Sequence, residues 1–482
     1  MAGADVTLQQ ILALEDDPAL LEFKCVQTGI PVWPGIRNQF FRFIISDLLF
    51  STSLVELRRG KRFRRNVLVG GSAIAKSVLH NLVRGSTLHG DILLTTVGTG
   101  LFARNGAWFN RLSDHFALAA RDRTVVLEDL SSWQWRFPRF NDRVLFHTPL
   151  VLYGYVAGRI AVRSHHVKKA RDLIALVQAR AQHFLDWTLT AQRREFLVQL
   201  LARHEAGTPR LFRAYERLLS RLMPRMLIKE MGCYGHSSVF NVAARRLGIM
   251  VTEYQHGMVS AGHDAYNVAP SLAASNDYRS TIPEFFLSYG DWWSEQINMP
   301  LAHVPIGNPH RTEQIARLGD CSGDKNDILI LGDSFNSTMY LGLAERLIGV
   351  SGRDQRVVFR PHHLERERIE TQFPAGRCGS VYIDRRPDIY DSFRSAKVVI
   401  SEASTGLFEA VGLVEKIFVF ATPRARFALP RHPFAEFESP EELISKLADD
   451  EVGRPRLGEV SRVWMPGWRD NYLEFLEAQL EN

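Results

Sequence analysis

Cysteine is scarce in this chain, with 4 residues among 482, and no two of them form a C-x-x-C pair. That pair is the spacing on which many structural zinc sites and dithiol centres depend. The composition therefore predicts a reduced, cytoplasmic protein without a disulfide framework or a structural zinc site. Hydrophobic residues make up 45% and charged residues 23% of the chain, which is ordinary globular usage and excludes wholesale disorder.

Long hydrophobic runs are also missing. The most apolar early stretch, residues 40–50, is interrupted by Arg42 and Asp47, and it is far shorter than the roughly 20 apolar residues that a bilayer requires. Asp16 and Asp17 lie where a secretory signal would place its apolar segment. We therefore expect neither a membrane span nor a signal peptide.

Positive charge is in slight excess, with 59 Lys and Arg against 53 Asp and Glu, and part of that excess is local. Residues 58–65 hold six cations, namely Arg58, Arg59, Lys61, Arg62, Arg64 and Arg65. This cluster follows the amphipathic segment 40–50, and it predicts either a solvated loop or a contact with anionic lipid on a membrane surface. No nucleic-acid-binding motif surrounds the cluster, so nucleic acid is not an expected partner.

Short apolar runs alternate with amphipathic helices, a pattern typical of α/β proteins with parallel sheets. In the first half we predict strands over residues 66–71, 91–97, 124–128, 225–230, 249–254 and 285–288. Residues 166–223 are rich in Leu, Ala and Arg with few breakers, which predicts an insertion of two or three helices. The Gly-Asn-Pro sequence at 307–309 predicts a boundary, because these residues interrupt both helices and sheets.

A second series of strands and helices begins after residue 320. The predicted strands cover residues 327–331, 356–359, 381–383, 397–400 and 416–420. Five strands with crossover helices form one doubly wound sheet. The predicted architecture is therefore two Rossmann-like domains that face an interdomain cleft, residues 1–310 and 320–465, with a last helix in 466–482 that packs back on the first domain.

Two common nucleotide motifs are absent. The chain has no G-x-x-x-x-G-K-[ST], and no predicted strand leads into G-x-G-x-x-G, which argues against P-loop and nicotinamide enzymes. Ligands of parallel sheets bind outside the carboxyl ends of the strands. Three such ends in the second domain carry hydroxylated, cationic or imidazole side chains: Ser334, then Arg360, His362 and His363, then Ser401, Ser404, Thr405 and Glu409. Such residues suit a nucleotide phosphate, or a ribose hydroxyl in the case of Glu409, although hydroxyl groups also cap helices.

In the first domain, the predicted strand 249–254 runs into His256 and Gly257. A histidine at a strand end is placed for general-base catalysis, or alternatively for a structural role. His256 and His263 could also bind a metal, but no third ligand follows at a zinc-protease spacing, and no D-x-D lies at a strand end. We therefore expect no metal. The alternative candidates for the base are Glu253, Asp114 and Asp291.

Four short motifs occur in a fixed order: E-x-Q-H-G at 253–257, G-N-P at 307–309, R-P-H-H at 360–363 and S-x-x-S-T-G-x-x-E-A at 401–410. Over residues 225–420 this order resembles the GT-B-fold transferases of bacterial surface polysaccharide assembly. That set includes capsule sialyl- and Kdo-transferases and the CDP-glycerol polymerases of teichoic acid. The family's His-Pro is His-His here, so its phosphate contact falls to either His362 or His363.

The resemblance implies an inverting, metal-independent glycosyltransferase without a cofactor. Its donor would be a nucleotide-activated sugar, with CMP-linked sugars among the candidates. Its acceptor would be a capsule or O-antigen glycan, or the lipid-linked precursor, at the cytoplasmic side of the inner membrane. His256 would act as base, with Glu253 as the alternative. A CDP-polyol phosphotransferase, a nucleotide-sugar 2-epimerase and a non-catalytic scaffold remain as alternatives.

Overall fold

The computed structural model describes residues 6–49, 63–319, 325–333, 336–351, 356–455 and 460–481, with backbone alone for residues 63–69 and 351. Ser334 and the cations at positions 58–62 lie outside the described residues, as do the side chains of Arg64 and Arg65. None of the helices in the described ranges combines the length and the apolar character needed to cross a bilayer.

A parallel sheet forms the centre of the first domain. The described strands there are β1 (Ile92–Thr96), β2 (Leu101–Arg104), β3 (Ala107–Asn110), β4 (Thr124–Glu128), β5 (Val144–Phe146), β6 (Met226–Lys229), β7 (Met250–Tyr254), β8 (Phe285–Ser288) and β9 (Ala302–Pro305). Seven of these form the sheet in the order β5-β4-β1-β6-β7-β8-β9, and β2 pairs with β3 in a separate antiparallel hairpin. The chain therefore winds outward in both directions from β1 and β6, as in a doubly wound fold.

Helices cover both faces of this sheet. They are α1 (Leu8–Leu12), α2 (Arg37–Leu49), α3 (Phe63–Arg84), α4 (Asp114–Ala119), α5 (Thr148–Ala161), α6 (Ser164–Leu185), α7 (Ala191–Leu222), α8 (Ser238–Arg246), α9 (Pro270–Ala274), α10 (Asn276–Arg279), α11 (Asp291–Ser294) and α12 (Pro309–Leu318). Helices α6 and α7 confirm the prediction of two or three helices in 166–223. Thr190 caps α7, since its side chain accepts a hydrogen bond from the Arg193 N–H.

The predicted strand at residues 66–71 is wrong, because these residues belong to helix α3. A short apolar run does not distinguish a buried strand from a buried helix. No proline separates it from the amphipathic residues that follow, so the helix continues to Arg84. Glycine is less favourable than alanine inside a helix by about 1 kcal/mol, so Gly70 and Gly71 weaken α3. Gly70 nevertheless lies in the helix, where it packs close to the Trp133 side chain.

Helices α5 and α7 touch through their backbones. A Cβ atom added to Gly158 would lie 2.2 Å from the Arg203 carbonyl oxygen, and one added to Gly207 would lie 2.7 Å from the Gly154 carbonyl oxygen. Only residues without a side chain allow this approach. The glycines therefore fix how α5 and α7 are positioned along each other.

The second domain also has a doubly wound sheet. Its described strands are β10 (Asp327–Leu331), β11 (Val357–Arg360), β12 (Arg377–Cys378), β13 (Val381–Ile383), β14 (Ala396–Ser401), β15 (Lys416–Phe420) and β16 (Ala435–Phe437). Their order is β12-β13-β11-β10-β14-β15-β16, and every pairing is parallel except that of β12 with β13. The five predicted strands are confirmed, and the short edge strands β12 and β16 extend the sheet beyond them. The prediction of two Rossmann-like α/β domains is confirmed.

The helices of the second domain are α13 (Ser337–Ser351), α14 (Arg366–Gln372), α15 (Ile389–Phe393), α16 (Thr405–Glu409), α17 (Pro423–Ala428), α18 (Pro440–Leu447), α19 (Val460–Val463) and α20 (Trp468–Leu480). The last two return to the first domain. The Trp293 indole N–H donates to the Val463 carbonyl at 2.8 Å, and the Trp464 indole N–H donates to the Phe408 carbonyl at 2.9 Å. Helix α20 then packs on α4. The chain end therefore contacts both domains.

Candidate active site

His256 follows β7 and retains 19% of its side-chain exposure. Its Nδ1 lies 3.4 Å from the Tyr266 hydroxyl, and that hydroxyl donates to Glu253 Oε1 at 2.6 Å. No hydrogen bond from the described parts of the chain engages the other ring nitrogen, Nε2. The tyrosine and the carboxylate thus hold one side of the imidazole, and Nε2 is left for a substrate.

Glu253 itself does not reach solvent. Its side chain is fully buried, and Oε2 accepts a hydrogen bond from the Cys233 N–H at 2.7 Å. Burial raises the pKa of the Glu253 carboxyl. The expectation that Glu253 acts as the base is therefore wrong, because a buried carboxylate cannot contact an acceptor hydroxyl. Its position makes it a positioning residue for His256.

The other two alternative bases are also poorly placed. Asp114 is buried, accepts a hydrogen bond from the Asn110 N–H at 2.8 Å and lies 3.9 Å from Arg139 Nη2. Burial raises its pKa to about 6. Asp291 is exposed at the start of α11. Among these acidic candidates and His256, the histidine alone combines partial exposure with an ordered hydrogen-bonding environment.

Two hydroxyl residues of the second domain lie beside the His256 loop. The Thr405 Oγ1 atom accepts a hydrogen bond from the Met258 N–H at 3.0 Å, across the domain boundary. Ser404 caps α16, because its Oγ accepts a hydrogen bond from the Gly406 N–H at 3.1 Å. The structure therefore brings the loop that carries the predicted base into contact with Thr405, one of the predicted phosphate-binding residues of the other domain.

Arg360 and Ser401 are not in the cleft, contrary to the sequence-based expectation. Arg360 is 8% exposed, and its Nη1 donates to Asp384 Oδ2 at 2.8 Å and to Ser392 Oγ at 2.9 Å. Ser401 is fully buried and donates to the Leu331 carbonyl at 2.9 Å. Both are the last residues of their strands, and alternate strand residues point to opposite faces of the sheet. Their side chains hold the fold together and do not face a ligand.

The two histidines after Arg360 are accessible but uncharged at neutral pH. His362 is half-buried, and its Nδ1 accepts a hydrogen bond from the Leu364 N–H at 3.3 Å. Partial burial, His362 and Arg111 together lower the pKa of His363 to about 4. Burial likewise lowers the pKa of His362. These residues can supply imidazole N–H donors to a phosphate, but they cannot supply positive charge.

Glu409 lies on α16 and is half-buried. Burial first, and then the Glu409 carboxylate, raise the pKa of the Tyr289 and Tyr390 hydroxyls well above their ordinary value. The carboxylate therefore lies close to one tyrosine from each domain. This position is compatible with the predicted contact to a hydroxyl group, and no bond in the structure decides it.

The sequence analysis missed Arg111, which follows hairpin strand β3. Its backbone N–H donates to the Gly100 carbonyl at 3.1 Å, and its guanidinium makes no hydrogen bond or ion pair with any described residue. Burial is the largest cause of the lowered pKa of His362 and of His363, and the positive charge of Arg111 is a smaller cause for both. The charge of this first-domain cation therefore reaches the histidine pair of the second domain. No spacing signal pointed to it, because the hairpin itself was not predicted.

A buried network closes the carboxyl ends of β10 and β14. The Tyr340 hydroxyl lies within hydrogen-bond distance of two carboxylate oxygens, Glu402 Oε2 at 3.0 Å and Asp333 Oδ2 at 3.2 Å, and can donate to either. Arg424 forms ion pairs with both carboxylates. Charges that are paired in this way fix the loops around them. The network therefore positions the edge of the second sheet.

No protein-family model matches the sequence, and no curated protein matches it. Among solved structures, the chain is similar to a putative UDP-N-acetylglucosamine 2-epimerase from Listeria monocytogenes, at 12% identity over 81% of this chain and 97% of that one, with a TM-score of 0.44. It is similar to Acinetobacter baumannii MurG, at 12% identity over 81% and 99% of the two chains, with a TM-score of 0.41. It is also similar to the wall teichoic acid polymerase TagF, at 9% identity over 88% and 93%, with a TM-score of 0.38.

Proposed function

We propose that this protein is an inverting glycosyltransferase that moves a sugar from a nucleotide-activated donor to an acceptor hydroxyl in the interdomain cleft. One observation carries the proposal. His256 is held by the buried pair Tyr266 and Glu253. The loop that carries His256 also bonds to the opposite domain, through the Met258 N–H and Thr405 Oγ1. We infer that the general base and the phosphate-binding residues share one cleft.

In the proposed reaction, His256 Nε2 removes the proton of the acceptor hydroxyl while the oxygen of that hydroxyl attacks the anomeric carbon of the donor sugar. The bond from that carbon to the donor phosphate breaks, and the nucleotide leaves with the electron pair. The His256 Nδ1–H points to Tyr266, whose hydroxyl donates to Glu253. This arrangement keeps Nε2 as the proton acceptor and places a carboxylate behind the imidazolium that forms.

The leaving phosphate gains negative charge as the bond breaks. In the proposal, Arg111 supplies the positive charge, and His362 or His363, Ser404 and Thr405 supply hydrogen-bond donors. Donors that are positioned before reaction stabilise developing charge most effectively. The proposed chemistry needs no divalent metal.

A nucleotide screen and a product assay test this function together. Selective binding of CMP, CDP, UDP, GDP or dTDP should raise the thermal midpoint, because a ligand that binds only the folded state stabilises it. A glycosyltransferase releases nucleotide only when acceptor is present. A 2-epimerase converts the nucleotide sugar without acceptor, and a polyol phosphotransferase leaves a phosphodiester on the acceptor. Either of these two products would overturn the proposal.

Arg111→Ala is expected to weaken nucleotide binding by about tenfold to a hundredfold, since a hydrogen bond to a charged group contributes about 1.5–3 kcal/mol. Isothermal titration with the nucleotide selected by the screen measures the change. The control is Arg121→Ala, which removes an exposed arginine that pairs with Asp142. Arg121 precedes β4, so it lies at the amino ends of the strands in the first sheet, opposite to the proposed site. Equal affinities of the Arg111 variant and the parent would remove this residue from the donor site.

The proposed acceptor is a lipid-linked glycan precursor at the inner membrane, and an exposed apolar face supports it. The apolar face consists of residues on α3 and α5, which pack side by side: Val78, Leu79, Leu82, Val83, Val151, Tyr153, Tyr155, Val156 and Ile160. It borders a groove of about 650 Å³ that is also lined by Arg210, Arg213, Arg217 and Arg221 of α7. None of these arginines pairs with a carboxylate of a described residue. Apolar side chains beside unpaired cations match an anionic lipid surface.

The double variant Leu82→Glu, Ile160→Glu should reduce binding to phosphatidylglycerol vesicles by about tenfold or more, because burial of each apolar side chain contributes about 1.5–3 kcal/mol. Co-sedimentation measures the bound fraction. Turnover with a water-soluble acceptor should stay at the parental level. Leu364→Glu provides the control, because Leu364 is equally exposed but lies in the second domain. Parental vesicle binding by the double variant would contradict a lipid contact at this face.

A further inference from the structure

Three potential metal ligands from distant parts of the sequence meet near the domain boundary. They are His115 on α4 and His310 with Glu313 on α12, and one ligand atom from each lies within 4.8 Å of the other two. His310 and Glu313 are three residues apart, so they share one face of the helix. Another residue of α12, Arg311, donates to the Val411 carbonyl of the second domain at 2.6 Å. The cluster therefore connects α4 with the helix that links the two domains.

Three of the four ring nitrogens of this cluster, His115 Nε2 and both nitrogens of His310, are buried and make no hydrogen bond of good geometry with a described residue. A carboxylate oxygen lies within 3.5 Å of each of the two Nε2 atoms. The His310 side chain is 7% exposed. Buried polar atoms are nearly always satisfied in proteins, and each exception calls for an explanation such as a bound ion.

One distance between ligand atoms and the surroundings of the cluster fit a coordination site. His115 Nε2 lies 3.5 Å from Glu313 Oε2, and two ligands of a tetrahedral ion with bonds of about 2.0–2.2 Å are about 3.3–3.6 Å apart. Arg104 Nη2 donates to the other oxygen, Oε1, at 2.8 Å, and Arg104 Nη1 donates to Oε2 at the longer distance of 3.4 Å. His310 Nε2 lies 3.4 Å from Asp388 Oδ2. A carboxylate behind a ligating histidine is a typical outer-shell arrangement.

We propose that His115, His310 and Glu313 bind a divalent transition-metal ion, which ties α4 to α12. Two imidazole nitrogens and one carboxylate favour Zn²⁺ over Mg²⁺ or Ca²⁺, which select all-oxygen sites. The carboxylates of Glu313 and Asp388 offset the charge of the ion and of Arg104. The site is structural, and none of its ligands takes part in the proposed transfer reaction.

Metal analysis of the full-length protein tests the site. The chain is treated with a chelator, equilibrated with Zn²⁺, desalted and analysed for zinc, and its thermal midpoint is measured with and without the ion. We expect about one zinc per chain and a higher midpoint with zinc, since metal binding stabilises the folded state. Co²⁺ should give the visible absorption of a four-coordinate nitrogen–oxygen site. A parent protein that retains no zinc would overturn the proposal.

Variants locate the ion. Glu313→Gln removes a ligand from a partly exposed position, so it is expected to fold, and it should lose the zinc together with the midpoint increase. Asp388→Asn should weaken affinity by about 10- to 100-fold, while asparagine still caps α15 at the Tyr390 N–H. His303→Gln, on β9 and outside the cluster, should keep the zinc. Zinc retained equally by Glu313→Gln and the parent would overturn this assignment, whatever the nucleotide screen shows.

Discussion

Replacing His256 with alanine is expected to lower the turnover number of sugar transfer by about 10²–10⁴-fold, the usual contribution of a general base. Nucleotide affinity should change little, because the proposed phosphate contacts come from Arg111, the histidine pair, Ser404 and Thr405 and not from the His256 side chain. Steady-state kinetics at saturating donor measure turnover, and titration calorimetry measures affinity. Circular dichroism and the thermal midpoint establish that the variant is folded.

Two further substitutions separate catalysis from packing. Tyr266→Phe removes the hydroxyl between His256 and Glu253 but keeps the ring, and Glu253→Gln keeps the shape of the side chain but removes its charge. Both should lower kcat and leave the donor KM near the parental value, because these residues position and support His256 without contacting the donor. A folded His256→Ala enzyme with parental turnover would show that His256 is not the base.

Arg360→Ala should destabilise the second domain by about 3–5 kcal/mol, because it leaves the Asp384 carboxylate buried without its partner. Urea unfolding of the variant and the parent measures the difference. The sequence analysis placed Arg360 at a nucleotide phosphate, and from that position its loss would weaken nucleotide binding and leave the fold intact. The reversal follows from the burial of the Arg360 guanidinium.

The double variant Arg360→Met, Asp384→Leu is the matched control. Replacing both members of a buried ion pair by apolar residues is often nearly neutral, so it should recover most of the lost stability. Ser392 bonds to both Arg360 and Asp384. Its hydroxyl loses both partners in the double variant, so a small part of the stability loss should remain. A fully stable Arg360→Ala protein with reduced nucleotide affinity would return Arg360 to the donor site.

The strands in the interior of each sheet were predictable, but the buried edge strand β5 was not predicted. Strands β4, β10 and β15 begin and end at the predicted residues, and nearly all of their residues are buried. Continuous apolar runs bounded by turn residues identify such strands. The run at 66–71 is also largely apolar and ends in Gly70 and Gly71, but these glycines lie inside helix α3 and not in a turn. The edge strands β12 and β16 are two and three residues long, too short for any pattern.

The candidate site was predictable to the level of loops and not of side chains. The order of the strands correctly indicated which loops meet, and His256 does lie beside Thr405. Whether Arg360 faces the cleft or the protein interior depends on the packing of the loop around Asp384, which no spacing encodes. Arg111, and the pairing of His115 with His310, depend on contacts between residues that are far apart in the sequence.

The backbone contact between α5 and α7 has a thermodynamic consequence for binding. Since Gly158 and Gly207 fix the two helices in one register, the outward side chains of α5 are already ordered before a partner arrives. A preordered surface loses little conformational entropy on association, whereas a segment that folds on contact loses much more. In the proposed lipid contact, the apolar face would therefore bind reversibly through a modest buried area.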